Sequence, residues 1–190
     1  MLYHQLSRIR GQLALKDLSV SDGLLLTSRS LRGKLPDHRL TWLNRELLGY
    51  RPEDLEALGE KESKRPGFSK IVQLLAPVKK QPELEVPVYR FLSGTWGRLE
   101  DGGKLTKVRE PQLIEKSIFC NIGMQQLEAQ LAEMDDPMEG LFSMSFDQQT
   151  GAEFYCYSKE LVRIQEAVRT KLAEFIDESI SELRLSPNSD

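Results

Sequence analysis

The chain has 190 residues, 39% of them hydrophobic and 29% charged, with a formal net charge of -3, values ordinary for one globular domain with its own core. No apolar run approaches the roughly 20 residues a bilayer-crossing helix needs. Met1 to Gln5 lacks the basic and apolar regions of a secretory signal, so a cytoplasmic location is expected.

The charge is unevenly placed. Residues 1–51 carry nine Lys/Arg against four Asp/Glu, and residues 52–190 carry seventeen against twenty-five. A basic first third can be a nucleic-acid face, or one of two complementary surfaces that meet within the chain or between subunits. The excess is modest, and the second reading is favoured.

Leu2, Leu6, Ile9 and Leu13 share one face at helical spacing, predicting a helix over 2–16. Ser19 to Asp22 supplies N-cap chemistry for a second helix that ends near Gly33. Pro36-Asp37 opens a third, with Leu40, Trp42, Leu43 and Leu47 on its apolar side and Gly49 as its stop. Pro52 to Leu58 reads as a helical turn or two, Glu60 to Gly67 as a charged linker, and Phe68 to Leu75 as another short helix.

Alternation over Val86 to Trp96 predicts a strand, with Val88, Arg90 and Leu92 opposite Tyr89 and Phe91. Asp101-Gly102-Gly103 is a turn, and Lys104 to Val108 the hairpin partner. Gln112 to Phe119 reads as a short strand or a turn of helix, and Met124 to Met134 as a helix. Leu141 to Phe146 and Phe154 to Tyr157 form a second hairpin. Ser158 then caps the longest element, a helix to about Leu183, whose stripe runs Leu161, Ile164, Val168, Leu172, Phe175, Ile176, Ile180 and Leu183.

The fold class expected is therefore α+β, mainly α. An N-terminal three-helix unit is followed by a small antiparallel β-layer and a long C-terminal amphipathic helix. One domain covers 1–185: helical over 1–50, linker plus strands over 51–110, helix–hairpin–helix over 111–185. Residues 186–190 form a disordered tail.

Few residues suggest chemistry. His4 and His38 have no Cys or carboxylate at metal-ligand spacing, and neither a Walker phosphate loop nor a G-x-S-x-G elbow is present. Cys120 and Cys156 lie in apolar contexts and read as buried thiols. Glu83, Glu85, Asp101 and Lys104 are the loose carboxylate–lysine set that a metal-dependent nuclease would need. No catalytic residue, metal ligand or cofactor is assigned.

The most specific constellation is Trp42, Glu46, Gly49 and Tyr50 on one helix, answered by Tyr89 and Arg90. Read structurally, Trp42 and Leu43 are core, Gly49 is the helix stop and Glu46 pairs with Arg90. Read chemically, Glu46, Tyr50, Tyr89 and Arg90 line an enzyme pocket. For a nucleic-acid face, Arg29, Arg32, Lys34, Arg39 and Arg45 are the phosphate contacts, with Trp42 available to stack.

The pattern Ser21-Asp22-x-Leu24-Leu25, Leu31-x-x-Lys34-Leu35, Trp42-x-x-x-Glu46-Leu47-x-Gly49-Tyr50 and Pro87-x-Tyr89-Arg90 resembles the AbiTii domain. Gly123-Met124-x-x-Leu127-Glu128 and Ile164-x-x-x-Val168-Arg169-x-x-Leu172 look like that family's C-terminal half. The resemblance implies a bacterial abortive-infection protein with a role in phage defence, and brings no catalytic residues. With the chain ending where the domain ends, effector activity is expected in the domain itself or in a partner. The leading expectation is a non-enzymatic sensor, adaptor or regulatory module that self-associates or binds an effector protein. Nucleic-acid binding is the alternative, followed by a nuclease or nucleotide-processing enzyme. No membrane partner is expected.

Overall fold

The computed structural model describes residues 2–51, 87–100, 103–108, 113 and 116–185. Three helices come first: α1 (Leu2–Ala14), α2 (Val20–Leu31) and α3 (Asp37–Leu48). Their starts and stops have local causes. Ser19 accepts the Asp22 N–H at the head of α2, and Pro36, which has no N–H to leave unpaired, stands just before α3. At the other end of α3, Gly49 takes φ 97° and ψ 172°, a region open essentially to glycine alone, and the helix stops there.

A 3-10 turn, Val88–Arg90, leads into β1 (Phe91–Leu99). β2 (Leu105–Lys107) and β3 (Ser117–Phe119) both pair with β1, and α4 (Met124–Glu133) follows. A hairpin of β4 (Leu141–Asp147) and β5 (Ala152–Tyr157) completes an antiparallel sheet ordered β2-β1-β5-β4, with β3 beside β1. The fold is α+β, as expected. The final helix, α5 (Lys159–Leu185), is 27 residues long, or about 40 Å at the usual rise.

α5 is the spine. Leu161, Ile164, Val168, Leu172, Ile176 and Leu183 are buried along it, against α1, α2 and α4 and also against the 3-10 turn, β1 and β5. Burying each such side chain contributes about 1.5–3 kcal/mol, so this stripe is a principal source of cohesion. Phe175 and Ile180, which share the predicted stripe, lie at its margin, half-buried. One core cluster joins the helices to the sheet, where Trp96 meets Phe154 edge-to-face at 5.4 Å.

Part of the charge asymmetry is met inside the chain. Arg10 reaches Asp177 at 3.2 Å, Lys16 reaches Glu166 at 2.8 Å, and Arg39 reaches Glu182 at 3.3 Å and Glu178 at 3.9 Å. Basic residues of the first third thus face acidic positions of α5. These pairs are exposed and each contributes little, about 0–1 kcal/mol, but together they favour one orientation of α5 across the N-terminal helices.

Strand boundaries differ from the sequence reading. β1 runs on to Leu99, past the expected end at Trp96, β5 begins at Ala152, ahead of the expected Phe154, and the start of β1 is displaced most. Val88 to Arg90 lies in a 3-10 turn, where the Arg90 N–H donates to the Pro87 carbonyl at 2.9 Å, and the strand begins at Phe91. The alternation fails because Arg90 is drawn inward by a carboxylate while Val88 is left 60% exposed. The helix and linker expectations over 52–82 and the tail at 186–190 lie outside the described residues. Among the described residues, no helix is long and apolar enough to cross a membrane.

Candidate functional site

Trp42, Glu46, Tyr50, Tyr89 and Arg90 do converge. The Glu46 carboxylate is wholly buried, and so is the Arg90 side chain. One carboxylate oxygen, Oε2, accepts from Arg90 Nη2 at 2.5 Å and from Nε at 3.1 Å. The other, Oε1, accepts the Tyr50 hydroxyl at 2.6 Å and the Tyr89 hydroxyl at 2.8 Å. The Tyr89 oxygen in turn accepts the Trp42 indole N–H at 3.1 Å. Four donor groups from two distant segments therefore satisfy a single carboxylate.

Arg90 also works on the backbone. Its Nη1 donates to the Ile122 carbonyl at 2.6 Å and the Cys120 carbonyl at 3.3 Å, and its Nη2 to the Glu46 carbonyl at 3.5 Å. Its own backbone carbonyl accepts the Cys120 N–H at 2.9 Å. One guanidinium thus ties the end of α3 to the segment between β3 and α4. The Tyr50 ring lies 5.3 Å beneath it and packs edge-to-face on Phe119.

The electrostatics follow from this closure. Burial opposes the Arg90 charge, but the adjoining Glu46 carboxylate outweighs it, so the guanidinium is held charged more firmly than in water. Burial raises the Tyr50 and Tyr89 phenols, and the neighbouring Glu46 carboxylate raises them further, so both stay protonated donors. A charged acid–base group with an accessible proton is not what this geometry supplies. A cavity of about 500 Å³ lies beside the cluster; Tyr50 lines it, but Trp42, Glu46, Tyr89 and Arg90 do not.

Gly49 belongs to the same junction. It pairs with Ile122 in a short antiparallel bridge, and the Tyr50 N–H donates to the Asn121 carbonyl at 2.8 Å. The end of α3 therefore lies directly on the start of α4.

Two further polar centres escaped the sequence reading as centres, although their residues stand in the motifs quoted above. Glu128 of α4 accepts the Val20 N–H at 2.8 Å, the Ser21 N–H at 3.2 Å and the Ser21 hydroxyl at 2.5 Å, capping α2 from a distant helix. Gln165 of α5 donates to the same carboxylate at 3.0 Å. Arg169 of α5 donates to the Leu13 carbonyl at 3.2 Å and the Leu18 carbonyl at 3.3 Å, closing the other end of the α1–α2 corner. A Ser at a helix start and a Glu at mid-helix spacing are too common to reveal a contact across 107 residues.

The phosphate-contact candidates separate. Arg29, Arg32 and Lys34 are exposed around the end of α2, while Arg39 is half-buried in its ion pairs with α5 and Arg45 lines the cavity. Trp42 is half-buried, packed on Phe175 at 5.9 Å and bonded to Tyr89, which argues against a stacking platform. Of the nuclease set, Lys104 is exposed; Glu83, Glu85 and Asp101 lie outside the described residues. Among the described residues, no group of three His, Cys, Asp or Glu could hold a metal ion. Cys120 and Cys156 are buried free thiols, as expected, and burial pushes the Cys156 thiol up to about 12.

Compared with known proteins, the chain matches no family model, no curated protein and no solved structure.

Proposed function

We propose that the protein is a non-enzymatic sensor or adaptor module of bacterial phage defence that acts by self-association. The observation that carries the non-enzymatic part is the Glu46 cluster. Its carboxylate is saturated by Arg90, Tyr50 and Tyr89, which leaves it no free lone pair directed at a substrate. The resemblance of the Ser21-Asp22, Trp42 to Tyr50 and Pro87 to Arg90 motifs to AbiTii domains supports the phage-defence setting.

Self-association is supported by the outer hairpin. Among the described residues, β4 is the terminal strand of the sheet, and its only charged residue is Asp147, at its end. Leu141 pairs with Tyr157 across the hairpin, and Leu141, Phe146 and Tyr157 are 39%, 59% and 54% exposed. Antiparallel pairing of β4 with a second copy of itself sets no like charges face to face along Leu141 to Phe146, and exposed uncharged edge strands are the ones that pair between chains.

Light scattering on the size-separated full chain tests this. A dimer or larger assembly that dissociates in the Leu141→Lys/Phe146→Lys variant is expected. A monomer at high micromolar concentration rejects self-association.

A further inference from the structure

Three cations stand together where α2 turns into α3. Arg29, in the last turn of α2, and Arg32 and Lys34, on either side of Gly33, are all exposed. Among the described residues, none of these three side chains has an ion-pair or hydrogen-bond partner. They differ in this from Arg10, Lys16 and Arg39, whose charges are met by α5. The corner that carries them is held in place from below. The Lys34 and Leu35 N–H groups donate to the Leu31 carbonyl at 2.9 and 3.1 Å, and Leu31 and Leu35 are both buried. Asp37, the next acidic residue along the chain, opens α3.

The opposite charge gathers in the turn between α4 and β4. Glu133, Asp135, Asp136 and Glu139 are exposed there, with no Lys or Arg between them. Asp136 is engaged by the turn itself, its Oδ1 accepting the Met138 N–H at 2.8 Å and the Glu139 N–H at 3.1 Å. Among the described residues, the carboxylates of Glu133, Asp135 and Glu139 have no partner. Met138, 55% exposed, gives the turn an apolar tip, and Lys159 nearby is held over the Tyr157 ring at 5.3 Å. The turn is anchored at the start of α5, where the Ser158 hydroxyl donates to the Asp136 carbonyl at 3.2 Å and the Ser158 N–H to the Gly140 carbonyl at 2.7 Å. The basic corner lies at the other end of α5, where Arg39 in the first turn of α3 meets Glu178 and Glu182. From Lys159 to Glu182 is roughly 35 Å along the helix, several screening lengths of about 8 Å at physiological salt. The two patches therefore cannot neutralise each other within one chain.

We propose that the basic α2–α3 corner of one copy docks on the acidic α4–β4 turn of a second copy. Arg29, Arg32 and Lys34 then face Glu133, Asp135 and Glu139, three cations against three carboxylates. Guanidinium groups match carboxylates in a bidentate fork, which sets the register of the contact. Both patches are fixed by their own backbone bonds before they meet, so docking orders little that was free. The two surfaces differ, so each copy keeps one patch of each sign, and the contact closes on itself or runs on as a chain. The inference rests on the self-association reading and adds to β4 pairing a second contact that does not require it.

Light scattering on the full chain in about 50 mM and about 500 mM salt tests this, because the screening length falls from about 14 Å to about 4 Å between them. The expected result is a mass at the lower salt at least twofold that at the higher. Arg29→Glu/Arg32→Glu/Lys34→Glu and Glu133→Lys/Asp135→Lys/Glu139→Lys are each expected to stay at the high-salt mass when alone. Their equal mixture should assemble again, since one variant carries two acidic ends and the other two basic ends. Lys104→Glu/Lys107→Glu/Lys116→Glu makes the same change of net charge at the sheet edge and should assemble as the parent does. A parent mass indifferent to salt, or end variants that assemble alone like the parent, overturns the proposal. So does a mixture that regains nothing, or a sheet-edge variant that loses assembly as the end variants do. The mass at the higher salt reports β4 pairing by itself, and a monomer there rejects that pairing while leaving the salt-dependent contact standing.

Discussion

Gly123 and Gly49 lie so close that neither position admits a side chain. A Cβ on Gly123 would fall 2.4 Å from the Leu47 carbonyl oxygen and 2.8 Å from the Gly49 nitrogen, and one on Gly49 would fall 2.5 Å from the Asn121 carbonyl oxygen. All three neighbours are backbone, which cannot rotate away. The end of α3 and the start of α4 are therefore joined through bare backbone, and the Glu46–Arg90 pair sits directly behind.

Gly123→Ala tests the close approach by itself, because its φ of -73° suits any residue. Overpacking of this kind costs about 1–3 kcal/mol. Gly49→Ala adds the strain of a glycine-only backbone conformation, a further about 1–3 kcal/mol. Urea denaturation of both variants is expected to rank Gly49→Ala as the more destabilised. Parent-like midpoints for both would mean that the two backbones do not meet.

Glu128 caps a helix to which it does not belong. Glu128→Ala strips α2 of the acceptor for the Val20 and Ser21 N–H groups and leaves Gln165 without its partner. Loss of a cap costs about 0.5–2 kcal/mol, and Glu128→Ala is expected at the upper end because the acceptor is charged. Hydrogen exchange should show the first turn of α2 opening sooner while the sheet keeps its protection. Unchanged exchange in that turn would contradict the assignment.

Alkaline pH acts on the cluster through its phenols. Tyr50 and Tyr89 are raised, by burial first and by the Glu46 carboxylate second, above the ordinary tyrosine value of about 10. A neutral phenol is thus favoured more in the folded state than in the unfolded one. The stability this contributes is complete below about pH 10 and is lost as pH rises toward the folded-state values. The urea midpoint is expected to fall above about pH 10, and Tyr89→Phe should flatten that fall. Both tyrosines ionising near their ordinary value without loss of structure, followed by ultraviolet absorbance, would contradict the buried network.

How much of this was legible in the sequence depended on range. Helical periodicity and local caps placed α1, α2, α3 and α5 nearly to the residue, because Ser19, Gly49 and the Leu161 to Leu183 stripe act within a few turns of where they stand. The partnership of Glu46 with Arg90 was also legible, since a buried carboxylate needs a cation and Arg90 stands next to Tyr89 in the answering motif. The strand over Val88 to Arg90 was not. Its alternation is compatible with β structure, and only the tertiary pull of Glu46 on Arg90, with Arg163 donating to the Tyr89 and Phe91 carbonyls, turns it into a 3-10 turn. The Glu128 cap and the Arg169 clamp were hidden for the same reason. Each links residues more than 100 positions apart, and nothing local marks their ends.

The most direct test of the account is a double-mutant cycle on Glu46 and Arg90, read by urea denaturation. Glu46→Leu leaves a buried guanidinium unpaired and Arg90→Met a buried carboxylate, and each is expected to cost about 3–5 kcal/mol. The double variant is expected to cost less than the two together by about 2–3 kcal/mol, the coupling of groups in direct contact. Single variants that each lose under about 1 kcal/mol and add without coupling would show that the pair is not what joins α3 to the sheet.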